Sequence, residues 1–247
     1  MNYDSIIESR LQALLAELRN KKGVFPQRTK LRIEKVLQNG IGQYNFDLKE
    51  AIANHLTTFE LKRDDIIIPN AISFLIAISH KVNGTEVEQL YSFAPKNDGV
   101  NPSVFPVGFV KDDIEALYNG YVQWTVGSTV AWENFPMEVF KKVFRQEGAF
   151  VLDSNDQPVQ EGIQPEFDIE KMLHLLYAKY YVAGTQDHQM SVNFPAAGLD
   201  FSLNDSNYTA KLVLYIDCWK IKNGTKILNV NIDENDPLAA AAWSMAN

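Results

Sequence analysis

The 247-residue sequence predicts a mainly β fold, an antiparallel β-sandwich with one N-terminal helix and a few short helices in its connections. Three observations carry that expectation. Four Asn-Gly pairs punctuate the chain at 39–40, 83–84, 119–120 and 223–224, three of them between runs that read as strand. A two-residue type I′ turn needs φ > 0 at both central positions, which Asn tolerates and Gly adopts freely. The strand-like runs alternate in polarity: Tyr121, Gln123 and Thr125 fall on one face, Val122, Trp124 and Val126 on the other. Finally, nothing repeats at a fixed period, which argues against a propeller or solenoid.

The first element is the helix. Asp4 or Ser5 caps a segment whose Ile7, Leu11, Leu14, Leu15 and Leu18 follow 3.6-residue spacing, with Gly23 and Pro26 beyond its end. Its single apolar stripe must pack on the body of the chain or on a neighbouring subunit. Residues 29–36 then alternate as a strand and 40–48 are turn-rich, while 46–56 also fit a short helix through Leu48, Ile52 and Leu56. Residues 57–61 and 65–68 read as strands, Pro69-Asn70 breaks them, and 72–82 resumes with the apolar density of a core strand. Asn83-Gly84 turns that run back into 85–93.

Pro95, Gly99, Pro102, Pro106 and Gly108 make 94–108 a long loop. Asn119-Gly120 joins Leu117-Tyr118 to the strand at 121–126, and Gly127-Ser128 leads into 129–132. Pro136 opens a short helical turn carrying Val139, Phe140, Val143 and Phe144, and 153–165 is a polar loop. Asp168 caps 169–180, where Met172, Leu173, Leu176 and Tyr180 suit a helix, although the density of Leu and Tyr also suits a strand. The chain is β again at 191–194, 199–203 and 208–221, and Asn223-Gly224 turns the last of these into 225–232. Three parts result: a helical arm at 1–28, a β body at 29–236 and an Ala-rich tail at 237–247.

Hydrophobic residues at 46% and charged residues at 22% place the chain among folded globular proteins rather than disordered ones. The lone Cys218 excludes an internal disulfide framework and a multi-cysteine metal site, and fits a reducing compartment. Residues 1–10 are polar and acidic, unlike a secretory leader, and the longest uncharged apolar stretch, 66–79, is too short to span a bilayer. Sequons at Asn83, Asn204, Asn207 and Asn223 read as turn chemistry. Charge is uneven: residues 1–36 hold eight basic and four acidic side chains, a net +4 that leaves −12 on the rest of a chain totalling −8. Such a basic segment is either a solvated helix and linker or an arm that touches nucleic acid, anionic lipid or a neighbour's acidic face.

Candidate chemistry is sparse. The four histidines, His55, His80, His174 and His188, show no metal-ligand spacing. Asp187-His188 is the nearest approach to a general base with its orienting carboxylate, although adjacent residues usually point apart. Cys218 shares a face with Leu212, Leu214 and Ile216 and reads as a small buried side chain. Asp64-Asp65 and Asp112-Asp113 precede apolar segments, where Asp caps turns. No phosphate-binding loop occurs. Trp124, Trp132 and Tyr121 form a conceivable sugar-stacking platform or a piece of core. The expectation is a non-enzyme with no catalytic, cofactor-binding or metal residues.

The order of elements resembles that of jelly-roll capsid proteins of icosahedral, tailless bacteriophages. The resemblance rests on Leu31-Arg32-Ile33-Glu34 leading to Gly42-Gln43-Tyr44-Asn45-Phe46, and on Thr58-Phe59-Glu60-Leu61 with Asp64-Asp65-Ile66 and the run 72–82. It continues through Leu117-Tyr118-Asn119-Gly120 to the strand 208–220, covering residues 29–232 as texture rather than as a diagnostic motif. It implies a self-assembling shell subunit of the virion, made in the host cytoplasm and not secreted. A double roll needs about sixteen strands and about ten to twelve can be read here, so the single roll is favoured.

The implied partners are further copies of the chain and other virion proteins, with Ile7, Leu11, Leu14, Leu18, Arg19, Lys21 and Lys22 as subunit contacts. The basic arm would touch membrane or genome without reading nucleic-acid sequence. Closed symmetric assembly would bury the helix stripe and the tail. A phage neck or tail component shares these properties. The alternatives are a carbohydrate-binding or adhesion sandwich on Trp124, Trp132 and Tyr121, and a hydrolase using Asp187 and His188.

Overall fold

A computed structural model describes residues 26–48, 61–82, 85–91, 116–141, 150–152, 158–160, 172–176, 181–194 and 208–227, with Ser9, Gln12, Ala13, Leu15, Ala16 and Asn20 of the arm. Twelve strands run through these residues: β1 (Gln27–Val36), β2 (Gln43–Asp47), β3 (Ile66–Val82), β4 (Thr85–Tyr91), β5 (Tyr121–Val126), β6 (Thr129–Pro136), β7 (Phe150–Leu152), β8 (Pro158–Gln160), β9 (His174–Leu175), β10 (Val182–Ala183), β11 (His188–Asn193) and β12 (Tyr208–Ile221). A 3₁₀ turn, Met137–Phe140, follows β6, and a single helical turn, α1 (Gly224–Ile227), follows β12. Mainly β structure is what the alternating runs predict, and every strand pair is antiparallel.

The strands form two main sheets and a small ribbon. Sheet A has the order β1-β12-β3-β10, and three short strands tile the far edge of β3: β10 against Ile66-Ile67, β9 against Ala71-Ile72, and β4 against Ile76–Val82. Sheet B has the order β2-β11-β5-β6, and β7 pairs with β8. The pairs are nested along the sequence: β1 with β12, β2 with β11, β3 with β10, and β5 with β6. The chain therefore behaves as one long hairpin, running out through β1, β2, β3 and β5 and back through β6, β10, β11 and β12. Its successive rungs alternate between sheets A and B.

Register places the apolar side chains in facing rows. In sheet A the inward rows are Leu31, Ile216 and Ile72, then Ile33, Leu214 and Phe74. In sheet B they are Tyr44, Val192 and Val122, then Phe46, Met190 and Trp124. All belong to one buried cluster, and the Phe46 and Phe74 rings meet edge to face across the layers at 5.8 Å. Phe140 of the 3₁₀ turn closes on Phe74 at 5.1 Å, and the Tyr118 hydroxyl donates to the Phe74 carbonyl at 3.4 Å. Each such side chain contributes about 1.5–3 kcal/mol by leaving water, so these four rows of large groups fix the two-layer arrangement.

Sheet A is also covered on its outer face. Leu75, Ala77 and Val213 pack with Met172 and Leu90, while Ile66, Ile68, Tyr181, Ala183 and Ile221 pack with Trp219. Burial on both faces explains why β3 reads as a nearly continuous apolar run rather than an alternating one.

Several predicted elements come out differently. Pro69-Asn70 does not break the chain: β3 is one 17-residue strand, and register shifts between Asp217 and Cys218 so that Ala71 faces Asp217 and Pro69 faces Cys218. Asn70 is the extra residue of a bulge, the place where a central strand accepts a proline with no N–H to give. Of the three Asn-Gly pairs read as hairpin turns, 83–84 alone joins paired strands, Val82 facing Thr85.

Asn39-Gly40 instead lies where the chain passes from sheet A to sheet B, and Asn119-Gly120 follows a helical turn at 116–117. Asn223-Gly224 leads into α1, so the strand read from 225 does not begin there, and residues 228–232 lie outside the described ones. The second tight hairpin is the Gly127-Ser128 turn, Val126 facing Thr129 with Gly127 at φ +58°.

Helical readings fare similarly. Phe46 and Asp47 belong to β2, so the helix considered at 46–56 does not begin there, and residues 49–56 lie outside the described ones. Within 169–180, Met172 is helical and His174–Leu175 forms a strand on the edge of β3, the alternative its Leu and Tyr density allowed, while 169–171 and 177–180 lie outside the described residues. The loop expected at 153–165 holds β8, paired with β7.

Candidate functional site

Of the arm, Leu15 is helical and fully buried within the single chain, while helical Gln12, Ala13 and Ala16 are exposed. Ile7, Leu11, Leu14, Leu18, Arg19, Lys21 and Lys22 lie outside the described residues, as does the tail from 237.

The alternation that sends Phe46, Met190 and Trp124 inward sends three polar rows outward on sheet B. Across β2, β11 and β5 these are Gln43, Asn193 and Tyr121, then Asn45, Ser191 and Gln123, then Asp47, Gln189 and Thr125. The face is almost uncharged, dense in amides and hydroxyls, and its Tyr121 is 40% exposed. Such a surface makes many hydrogen bonds at little desolvation cost compared with a charged one.

At one end of this face lies a cleft of about 570 Å³ lined by Lys35, Asn45, Asp47, Thr125, Gly127, Asp187, His188 and Gln189. His188 occupies an inward position opposite Val126, and its side chain is fully buried. Its Nδ1 lies 3.7 Å from Asp47 Oδ1, close enough for ionic attraction when the ring is protonated but beyond a direct hydrogen bond. Adjacent Asp187 is exposed and its carbonyl accepts the Gly127 N–H at 2.6 Å, and a second carboxylate, that of Asp47, stands beside the His188 ring. Asp47 escaped sequence reasoning because β2 and β11 are far apart in the chain, and only their pairing brings the two residues together.

The other sequence candidates resolve into packing. Trp124 is fully buried, with its ring 5.3 Å from Trp132, which stacks on Phe135 at 4.4 Å. Tyr121 stands on the opposite face of β5, so the three aromatics do not form one platform. Cys218 is fully buried on the face of Leu212, Leu214 and Ile216, and burial pushes its thiol up to about 12. The Asp65 carboxylate caps the turn after β12, accepting the Asn223 N–H at 3.0 Å, and also pairs with Lys220 at 2.9 Å. Among the described residues no group of three His, Cys, Asp or Glu is placed to hold a metal ion, and no helix is long and apolar enough to cross a membrane.

Beside its apolar clusters, the outer face of sheet A carries a charged strip. Lys211 of β12 bridges Glu34 of β1 at 3.1 Å and Glu88 of β4 at 3.3 Å, and Arg32 contacts both carboxylates. Ala77 and Ser79 of β3 are small enough for Glu88 to reach over them. Burial alone would raise the Glu88 pKa, but Arg32 and Lys211 outweigh it and hold the carboxyl below its ordinary value. Burial would likewise lower Lys211, and Glu34 and Glu88 reverse that, leaving it raised. The two outer surfaces thus differ in kind, one a cross-linked charged strip and the other a neutral amide face. No family model, curated protein or solved structure matches this chain.

Proposed function

We propose that the chain is a self-assembling structural subunit of a bacteriophage virion, built on a single jelly roll. The nested pairing carries this reading. Eight strands folded as one long hairpin, its rungs alternating between two sheets, is the winding a jelly roll requires, and capsid subunits are among the proteins that use it. Of the remaining described strands, β4 and β9 pair with the edge of β3, and β7 pairs with β8. In a shell, the neutral face of sheet B and the charged face of sheet A offer two chemically distinct contact surfaces. The N-terminal helix, with Ile7, Leu11, Leu14 and Leu18 on its stripe and Arg19, Lys21 and Lys22 behind it, clasps a neighbour or faces the interior.

Light scattering of the purified chain across a concentration series, with negative-stain imaging, tests the proposal. Rings, shells or tubes are expected, and their yield falls when residues 1–25 are removed. A chain that stays monomeric at high concentration overturns it.

The amide rows around exposed Tyr121 favour a second reading, a glycan-binding module. Glycan-array binding lost in Tyr121→Ala, from a protein that remains monomeric, would select it.

A further inference from the structure

We infer that Asn39 is a site of spontaneous backbone modification, converting to isoaspartate in the folded chain while Asn119 and Asn223 are protected. The chemistry needs only water. The Gly40 nitrogen attacks Cγ of Asn39, forming an N–Cγ bond as the Cγ–Nδ2 bond breaks. Ammonia departs with the proton from the Gly40 amide and leaves a five-membered succinimide. Water then adds to either ring carbonyl: opening at the α-carbonyl routes the main chain through Cβ and Cγ as isoaspartate, and opening at Cγ gives aspartate. Glycine after Asn favours ring closure, since no Cβ crowds the attacking nitrogen and the backbone rotates freely.

Asn39, Asn119 and Asn223 share that dipeptide, so their surroundings decide between them. Asn39 and Gly40 are both exposed, and a Cβ built on Gly40 meets nothing within 4 Å. Their turn runs from Gln38 to Ile41, where the Ile41 N–H donates to the Gln38 carbonyl at 3.3 Å. The Tyr44 hydroxyl accepts the Gln38 N–H at 2.8 Å, anchoring the chain just before the turn, so rotation at 39–40 need not disturb β1.

Asn119-Gly120 and Asn223-Gly224 are pinned. Gly120 is buried with its Cβ position 2.2 Å from the Asn193 carbonyl, its N–H donating to Leu117 and its carbonyl accepting from Met137. Gly224 is buried against Ile66. The Asn223 N–H is held by Asp65 and the Thr225 N–H by the Asp64 carbonyl. Ring closure at either site requires sheet structure to open first, and the population of open forms sets the rate.

Conversion at Asn39 adds one carboxylate and one methylene to the main chain at the corner linking the two sheets. The test incubates the full-length protein in mildly alkaline buffer, folded and in urea, and follows each peptide by mass spectrometry and by isoaspartyl-specific methylation. In urea the three sites should convert at similar rates. In the folded protein Asn39 should keep a rate near its unfolded one, while Asn119 and Asn223 slow by about tenfold or more. Asn39→Ser should abolish the signal from its own peptide and leave the other two unchanged. Conversion at Asn39 no faster than at Asn119 and Asn223 in the folded chain would overturn the inference, and so would three rates that are the same folded and unfolded.

Discussion

The two-layer core can be tested at the one contact where its layers meet ring to ring. Phe46 in sheet B and Phe74 in sheet A are both fully buried, and their rings stand 5.8 Å apart at 68°. Truncating either to Ala removes a large apolar side chain and leaves a cavity, a loss of about 3–5 kcal/mol. For a chain of this size that lowers Tm by roughly 6–20 °C. The more searching quantity is their coupling. An edge-to-face pair contributes about 0.5–1.5 kcal/mol beyond its area, so Phe46→Leu with Phe74→Leu should show a non-additive term of that size.

Urea denaturation read by circular dichroism and by tryptophan fluorescence supplies both numbers, since Trp124 sits in the Phe46 row. Tyr121→Ala, on the outer face of the same sheet, serves as the control and should change stability by less than about 0.5 kcal/mol. A coupling indistinguishable from zero, or fluorescence and dichroism transitions that separate in the native sequence, would show that the layers do not share one core.

Two other perturbations read out parts of the fold that sequence patterning leaves implicit. The Glu88 pKa is depressed, so its contribution is present above the ordinary value of about 4.5 and vanishes as pH falls through the folded value. Glu88→Gln should therefore cost about 1 kcal/mol at neutral pH, with the difference from the native sequence closing in acid. Lys211 is raised above about 10.5, so its contribution is present below that value and fades as pH rises through the folded one. Denaturation midpoints across pH check both directions. Among the glycines, Gly120→Ala and Gly184→Ala drive a Cβ to within 2.2 and 1.9 Å of backbone oxygens and should prevent native packing. Gly40→Ala meets open space at φ +77° and should cost only about 1 kcal/mol, measurable in the same titration.

What the sequence made legible follows the range of the interactions that decide each element. The strand at 208–221 was readable to the residue because fourteen positions of β-rich composition need no partner to declare themselves. The alternation of 121–126 was readable because side-chain direction in a strand is local. The Asn-Gly pairs misled for the same reason inverted. A positive φ is a local property, and Gly40 has it at +77°, yet whether a turn returns a strand to its own sheet or sends it to the opposite one depends on partners a hundred or more residues away. The site followed the same rule. His188 was visible, but the carboxylate beside it belongs to Asp47, which β11 brings close through pairing that neither strand encodes alone.

Pro69 joins the two levels. Read locally, a proline followed by Asn ends a strand, since the missing N–H leaves a rung of the ladder unmade. In the folded chain β3 cannot end there, because β12 pairs with it on both sides of the proline and β10 and β9 occupy its other edge above and below. The bulge at Asn70 reconciles the two demands: one extra residue absorbs the missing rung. It also resets the alternation, so that Ile67 before it and Ile72, Phe74 and Ile76 after it all join the core between the sheets. Were all these residues kept in a regular strand with no bulge, the pleat that sends Phe74 inward would turn Ile67 outward and bring Ile66 and Ile68 inward, away from Tyr181 and Ala183 on the outer face. Asn70 also donates to the buried Asp217 carboxylate at 3.4 Å, which Arg28 of β1 holds from the other side at 3.1 Å. The irregularity is thus tied into the three longest strands of sheet A, β1, β12 and β3, and the residue pair that looks like an interruption is what lets one strand serve the whole length of the sheet.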